Sequence, residues 1–583
     1  MVTVEALRQL VDSEPDFELI HDSRVGRQHT RYRNEASSLR DLMVSLAGHG
    51  EAVALQMDDE STTYSELWSN IVAASHWLRS HGVGAGDRIA ALARNIPELP
   101  VVFWAAQAIG AVFVPLNPSW TTDEVAYALS DADPSRVVID EALADRLPER
   151  LHTRAVWLGA ASTNGHGARA GHRWAEIVAD RGHRCLPDVV IGPDHLATIV
   201  YTSGTTGRPR GVVHTHGNHC ASVSNALLTA RVMQHVAGDT GAGDTVPDQS
   251  GQSAVLHALP WFHVAGLGAI YTSLLAGSKN VIMRRWDAQE ALRIIEDQRI
   301  NSLGAVPTML GQLVMEEGRS TGKDLTSLKA VSSGAAAVPS ALLQSVKDHV
   351  GQQAMLVTGY GLTETTASIA LSVGDDLFRK PESVGVPYPV NTVKLLTAEG
   401  TEAPPGQAGE IWVSGPTVAK GYWRNPEATN SAFIDGGFRT GDLGMVDSDG
   451  YLFIVGRIKD VIIRGGENIQ AAEVEQVIAE LPEVMEVAVV GMPHPEYGEE
   501  VVAVITTYPN AQIDDQNVDD HCRKRLAKFK IPSRYIRDVP IPRTATGKSL
   551  KNQLRKSLLT NIDTAAGLSS ESGGATPTTG RIQ

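Results

Sequence analysis

The sequence predicts an α/β protein of more than one domain, ending in a small α+β domain. Three features require this. At 583 residues the chain exceeds the roughly 250–300 residues at which a single hydrophobic core stops growing. Residues 41 to 116 alternate strand-like and helical patterns, Ala52-Val-Ala-Leu55, then Tyr64 to Leu78, then Arg88-Ile-Ala-Ala-Leu92, the rhythm of layered strands and helices. After Thr401 the texture shifts to short β-like runs with turn signals: Gly409-Glu-Ile-Trp-Val-Ser414, Asp447-Ser-Asp-Gly450 and Tyr451-Leu-Phe-Ile-Val455.

The elements between and after these follow the same logic. Val101 to Val114, the most apolar stretch, spans fourteen residues before Pro115, short of the ~20 needed to cross a bilayer; it reads as a buried helix running into a strand. Val236 to Gln252, rich in Gly, Asp, Thr and Ser, reads as an exposed loop without assigned function. Gly456-Arg-Ile-Lys-Asp460 is a polar knot between the apolar runs Leu452–Val455 and Val461–Ile463, and marks a domain boundary. Beyond it a helix at Ala472–Glu480, strands at Val484–Val490 and Val501–Thr507, and a helix at Val518–Lys528 are expected. The expected division is 1–458, 459–556 and a tail 557–583, small and polar from about Thr560 and expected to be disordered.

Composition narrows the function classes. Hydrophobic residues at 42% and charged residues at 20% suit a folded soluble protein. A formal charge of −16 excludes a general nucleic-acid binder, which needs a basic surface to displace counterions. Cys185, Cys220 and Cys522 are an odd set without metal-ligand spacing, so neither a disulfide framework nor a zinc site is expected. The acidic first thirty residues lack a signal peptide's apolar run. A cytoplasmic protein without integral membrane association is expected.

The chemistry begins at Tyr201-Thr-Ser-Gly-Thr-Thr-Gly-Arg-Pro-Arg-Gly211. Ile199-Val-Tyr201 ends a buried strand and leads into Thr202, Ser203, Gly204, Thr205, Thr206 and Gly207. Two glycines let the backbone approach an anion, four hydroxyls and the loop amides offer donors, and Arg208 and Arg210 add positive charge. A hydroxyl-rich surface turn is the competing reading. The common P-loop requires lysine directly after its second glycine, where Arg208 stands. Gly547-Lys548-Ser549 mimics the end of that motif, but Pro542 occupies its first glycine position.

The Tyr201–Gly211 segment resembles the loop of the adenylate-forming superfamily, which includes acyl-CoA synthetases, luciferases and peptide-synthetase adenylation domains. The family loop usually reads Tyr-Thr-Ser-Gly-Thr-Thr-Gly-x-Pro-Lys-Gly; only the lysine differs, as Arg210. Further family segments follow in order over roughly residues 40 to 556. The resemblance implies a large N-terminal domain of two β/α sheets plus a distorted β-barrel, and a small mobile α+β C-terminal domain. It also implies ATP, Mg²⁺ and CoA.

Site residues carry over motif by motif. Ser332-Ser-Gly-Ala-Ala336 places Gly334 and Ala335 at the adenine wall; by itself it would read as small residues at a helix start. In Thr358-Gly-Tyr-Gly-Leu-Thr-Glu364 the resemblance puts Tyr360 on adenine, Thr363 at the α-phosphate, Glu364 at Mg²⁺ and Gly359 beside the acid. As isolated residues Tyr360 and Glu364 are more often a packed ring and a solvated acid. Phe438-Arg-Thr-Gly-Asp442 supplies Asp442 for the ribose hydroxyls, with Arg457 nearby. Gly421-Tyr-Trp-Arg-Asn-Pro-Glu-Ala-Thr429 also matches and reads as structural.

Lys459 falls at the family's hinge, Gly465 and Gly466 in the loop lining the thiol tunnel, and Lys548 of Pro542-Arg-Thr-Ala-Thr-Gly-Lys548 at the catalytic lysine. The family has proline shortly after Ile469, where this chain has Gln470-Ala471, which implies a less rigid loop. Leu259-Pro-Trp-Phe-His-Val-Ala-Gly266 resembles the acid-binding segment, with His263 near the carboxylate; a core histidine is the alternative. No acidic residue lies between Leu256 and Leu267 to pair with an ammonium, so a hydrophobic fatty or arylalkanoic acid is expected over an amino acid. Arg523, Lys524, Arg525, Lys528, Lys530, Arg534 and Arg537 form either a solvated basic face or a seat for CoA phosphates. The implied reaction is acyl-AMP formation followed by thioester formation. The alternatives are a carrier-protein acceptor, a nucleotide-binding inactive relative and, more remotely, luciferase-like oxidation. A homodimer is an admissible assembly.

Overall fold

A computed structural model describes residues 3–22, 29–159, 170–202, 208–237, 251–318, 322–334, 338–350, 354–508, 511–537, 539–543 and 549–570. They fall into two units, Met1–Ile454 and Val455–Gln583.

The first unit holds two large sheets. An eight-stranded sheet runs in the order Gly421–Tyr422, Arg210–Thr215, Leu196–Thr202, Val112–Leu116, Arg88–Leu92, Arg136–Asp140, Ala155–Leu158 and His172–Arg173. Its inner strands are near-continuous apolar runs, such as Val112–Leu116 and Val137–Ile139, as expected of parallel strands covered on both faces. The second sheet has fourteen strands. At its centre Met355–Tyr360, Ala330–Ser333, Ser302–Ala305, Ala254–His257 and Lys279–Ile282 pair in parallel in that spatial order. In such a sheet the carboxyl ends of the strands are where ligands bind.

The apolar stretch expected as helix then strand is the helix Glu98–Ile109 followed by Val112–Leu116, with Gly110 at φ 73° ending the helix. Capping boxes start two neighbouring helices, Thr63 with Glu66 before Tyr64–Ser80 and Thr121 with Glu124 before Thr122–Ala132. Glu98–Ile109 packs against the helix Val264–Leu275, Phe103 lying parallel to Tyr271 at 5.6 Å between ring centres. Trp104, Trp261 and Tyr271 are buried in the same core.

The distorted barrel takes the form of an open antiparallel extension of the fourteen-stranded sheet, through Ser383–Pro387, Leu452–Arg457, Gly437–Val446, Gly409–Ser414 and Thr392–Leu396. A bulge between Glu410 and Trp412 bends it. No ladder closes it among the described residues, because the edge strand Thr392–Leu396 has one ladder partner.

The second unit is a five-stranded sheet with helices Ala471–Ala479, Asp515–Arg523 and Lys551–Ser570. One expectation needs correction. The helix expected at Val518–Lys528 starts earlier, capped by Asp514, and ends at Arg523; Arg525 and Leu526 both donate to the Cys522 carbonyl, which turns Leu526 into the core. The last helix covers Lys551–Ser570, and residues 571–583 lie outside the described residues. No proline interrupts that helix and its first glycine is Gly567, so nothing stops propagation of a helix already nucleated. The segment expected as an exposed loop lies outside the described residues from 238 to 250.

Leu554 and Leu558 anchor this last helix against Ala488 and Val490. Leu554→Ala is expected to destabilise the full-length protein by about 2–5 kcal/mol, read as a lower urea midpoint. Lys556→Ala, on the exposed side of the same helix, should stay within about 0.5 kcal/mol of wild type.

Candidate functional site

Thr202 closes one strand of the eight-stranded sheet, and Arg210, its ladder partner, opens the next. Thr202 Oγ1 donates to the Arg210 carbonyl at 3.4 Å. The two strands pair antiparallel; Ser203, Gly204, Thr205, Thr206 and Gly207, between them in sequence, lie outside the described residues. Gly211 is required here, since a Cβ would stand 2.7 Å from Ile199 Cγ2. Arg208 lies over the Tyr127 ring at 5.3 Å, and Arg210 over the Tyr422 ring at 5.6 Å.

Gly334 follows Ala330–Ser333, and Gly359 lies in the neighbouring strand Met355–Tyr360. A Cβ on Gly334 would be 3.7 Å from the Gly359 carbonyl, so the two strand ends present a low backbone surface. Ala335 lies outside the described residues. Tyr360 donates its hydroxyl to Asp442 Oδ2 at 2.6 Å. Both groups are nearly excluded from water, 8% and 2% exposed. One hydrogen bond therefore joins the ring expected at adenine to the carboxylate expected at ribose, from strands 82 residues apart in sequence.

Thr363–Thr365 forms a single tight turn, with Leu362 N–H donating to Thr365 Oγ1 at 3.0 Å. Thr366 and Ala367 follow at φ 50° and 58°, backbone strain of the kind that collects at functional sites. Glu364 Oε1 accepts from the Tyr422 hydroxyl at 2.8 Å.

Behind this turn runs a buried polar chain that sequence reasoning missed. His214 Nε2 lies 2.7 Å from the Thr363 carbonyl, Thr198 Oγ1 3.0 Å from His214 Nδ1 and 2.9 Å from His219 Nε2, and the Tyr271 hydroxyl 3.2 Å from His219 Nδ1. Burial lowers the His214 imidazole to about 4 and pushes His219 well below its usual range, so both rings are neutral. A carbonyl only accepts, which leaves one assignment. Tyr271 donates to His219, His219 to Thr198, Thr198 to His214 and His214 to Thr363. The visible signal was a histidine inside the otherwise apolar run Gly211-Val-Val-His214.

His263 immediately precedes the helix Val264–Leu275, and burial lowers its imidazole to about 4. The side-chain amide of Asn95 clamps its segment, donating to the Leu259 carbonyl at 2.9 Å and accepting from Trp261 N–H at 3.0 Å. Gly266 allows close packing, since a Cβ there would sit 2.2 Å from the Pro260 carbonyl.

In the second unit Ile458–Asp460, containing Lys459, is one short turn that follows Arg457. Gly465 and Gly466, at φ 60° and 87°, connect Val461–Arg464 to Glu467–Gln470 as a two-residue hairpin that requires positive φ at both positions. Gln470 is paired with Val461, so a strand ladder occupies the place where the family uses proline. Lys548 lies outside the described residues; on either side of its segment Arg543 pairs with Ser549, and Leu550 N–H donates to the Pro542 carbonyl at 2.7 Å. Lys551 binds Glu475 at 2.8 Å and approaches Asp460 at 4.0 Å. Of the seven basic residues from Arg523 to Arg537, five pair with carboxylates: Arg523 with Asp519, Arg525 with Glu480, Lys530 with Glu473, Arg534 with Glu500 and Arg537 with Asp515. That pattern favours a solvated, charge-balanced face over a phosphate seat.

With strand-end glycines, a tied tyrosine–aspartate pair and an arginine opening the strand after a hydroxyl-rich sequence, the first unit has the parts of a nucleotide site, and the chain belongs to the family of AMP-binding enzymes. The AMP-binding enzyme profile matches residues 43–423, and that of the AMP-binding enzyme C-terminal domain matches residues 473–548. Among curated relatives the chain is similar to feruloyl-CoA synthase of Amycolatopsis sp, 34% identical over 87% of this chain and 96% of that one. It is equally similar to the long-chain-fatty-acid–CoA ligase FadD13 of Mycobacterium tuberculosis, 34% identical over 85% and 93%. Among solved structures it resembles o-succinylbenzoate CoA synthetase of Bacillus subtilis in complex with its acyl-adenylate intermediate, with TM-score 0.73 and 29% identity over 88% and 97% of the two chains.

The neutral histidines carry a consequence for stability. His214, His257 and His263 are lowered to about 4 and His216 to about 3, all chiefly by burial. An unfolded chain protonates these rings near pH 6.5, and the folded one only further down. Stability is therefore complete above about pH 6.5 and is lost as the pH falls toward 4, at up to about 1.4 kcal/mol per ring and pH unit. Urea midpoints are expected to be level between pH 7 and 8 and to drop between pH 6.5 and 5. A level midpoint down to pH 5 would contradict the neutral assignment.

Proposed function

We propose that this protein is an AMP-forming ligase that joins a hydrophobic carboxylic acid, fatty or arylalkanoic, to CoA. The supporting observation is the continuous set of contacts at the strand ends: Asp442 bonded to Tyr360, the Thr363–Glu364 turn directly after it, and Tyr422 linking Glu364 to Arg210. These contacts support a reading in which ribose, adenine, α-phosphate and triphosphate are recognised by one connected set of residues.

In this reading Gly334, Ala335 and Tyr360 enclose adenine, Asp442 accepts from the ribose hydroxyls with Arg457 nearby, and Thr363 meets the α-phosphate. Thr202 to Gly207 and Arg210 hold the β- and γ-phosphates. Glu364 is the residue that would hold Mg²⁺; its carboxylate is a hard oxygen donor fixed by a phenol, and Mg²⁺ commonly takes one or two carboxylates beside phosphate oxygens. Bound there, the ion would neutralise phosphate charge. Neutral His263 and Gly359 border the acid, and a neutral imidazole can face a carboxylate by donating a single N–H.

The acid's carboxylate oxygen attacks the α-phosphorus, the bond to the β-phosphate oxygen breaks, and pyrophosphate leaves. Anion meets anion in this step, so alignment and neutralisation by Arg210 and Lys548 supply most of the acceleration. The CoA thiol, losing its proton, then attacks the acyl carbon and AMP leaves. Rotation at Lys459 would withdraw Lys548 and bring the hairpin of Gly465 and Gly466 to the thiol path. The names of similar enzymes cover both aryl and long-chain acids, and among the described residues no helix is long and apolar enough to cross a membrane. A cytoplasmic site, where ATP and CoA are available, completes the reading.

An acid panel with ATP and Mg²⁺, run with CoA, with a phosphopantetheinylated carrier and with neither, tests this directly. Acid-dependent pyrophosphate release and a thioester formed only with CoA are expected. Thioester on the carrier alone would replace CoA as acceptor, and nucleotide binding without turnover across the panel would sink the ligase reading. Lys548→Ala should reduce acyl-AMP formation by at least about 100-fold, the scale of losing one transition-state charge partner, and leave thioester formation from supplied acyl-AMP within about twofold. Equal loss in both half-reactions would refute its role.

A further inference from the structure

The segment Gly421–Tyr422 reads as structural in the sequence, yet its side chain meets two groups of the site. The two-residue strand pairs antiparallel with Arg210–Thr215, Val212 opposite Tyr422 and Val213 opposite Gly421. Lys420 N–H donates to the Val213 carbonyl at 2.9 Å, and Trp423 N–H to the Gly211 carbonyl at 2.7 Å, fixing the register. Residues two apart on a strand share a face, so Arg210 is the diagonal neighbour of Tyr422, within reach of a long side chain. The guanidinium accordingly stands 5.6 Å from the ring centre. Phe433 meets the same ring edge-on at 5.5 Å and limits its rotation.

The hydroxyl end of the ring meets Glu364 and also takes a side-chain hydrogen bond from Arg210. Ala419 N–H donates to the Glu364 backbone carbonyl at 2.9 Å, and the Tyr422 hydroxyl donates to its carboxylate at 2.8 Å. One four-residue stretch thus holds Glu364 by both main chain and side chain. A planar guanidinium stacks on an aromatic face in a way a compact ammonium does not. Arg210, standing where the family has lysine, thus meets both the ring and the hydroxyl of Tyr422.

We propose that Tyr422 is a positioning residue of the adenylation step: its ring seats Arg210 and its hydroxyl orients Glu364, so that cation and carboxylate are presented to the nucleotide at a fixed separation. This rests on the ligase reading above. Tyr422→Phe removes only the hydroxyl, and Tyr422→Leu removes the ring as well.

For Tyr422→Phe, the rate of acid-dependent pyrophosphate release is expected to fall about tenfold, the scale of one lost positioned hydrogen bond. The half-saturating Mg²⁺ concentration should rise several-fold, while thioester formation from supplied acyl-AMP stays within about twofold and the melting temperature is unchanged. In calorimetric titration with ATP, Tyr422→Leu should bind several-fold more weakly, and Arg210→Lys should cost less in the Tyr422→Leu background than in wild type, the non-additivity of groups in contact. Pyrophosphate release by Tyr422→Phe within twofold of an active wild type overturns the proposal. So does an equal fall of both half-reactions with a lowered melting temperature, or additive effects in the ATP titration. A wild type without acid-dependent pyrophosphate release overturns the ligase reading instead, and the ATP titrations then decide on Tyr422 alone.

Discussion

The six-residue strand Arg210–Thr215 is the element on which the candidate site depends. At its start stands Arg210. In its middle Val212 and Val213 pair with Tyr422 and Gly421. Near its end His214 reaches the Thr363 carbonyl. Sheet pairing spaces these three functions along about 13 Å of extended chain. The strand can do this because it is buried on both sides, Gly211 to His214 being closed to solvent, and a buried ladder admits one register.

Much of the fold was legible because periodicity survives in the sequence. The helices Tyr64–Ser80 and Glu98–Ile109 and the strands Arg88–Leu92 and Leu196–Thr202 lie close to where the apolar patterns put them. The chemistry-bearing motifs were legible for a different reason: hydroxyl, glycine and charge cluster within a few consecutive residues, as at Thr202 to Arg210 or Thr363-Glu364. Tyr422, His214 and Asn95 were not legible. Each acts on a partner distant along the chain, Tyr422 on Glu364, His214 on Thr363 and Asn95 on Leu259. A tyrosine in a match to a family segment looks the same whether it packs or positions. Only the cross-strand register separates the two.

The small unit shows the converse. Its basic run from Arg523 to Arg537 invites a phosphate-binding reading, but the residues that answer most of those charges, Glu473, Glu480, Glu500, Asp515 and Asp519, come from other turns of the same unit. Charge counted along a sequence overstates charge available at a surface.

The chain from Tyr271 to Thr363 has a property that its individual bonds do not. The four donors run head to tail, each group that donates also accepting from the one before, so the bonds of the chain polarise one another up to the carbonyl of Thr363. Side chains from two strands and two helices thus tie four elements to the backbone of the Thr363 turn through one chain of protons. Because the rings are neutral, this chain carries no net charge that mobile ions would screen, and it is already oriented before any anion arrives.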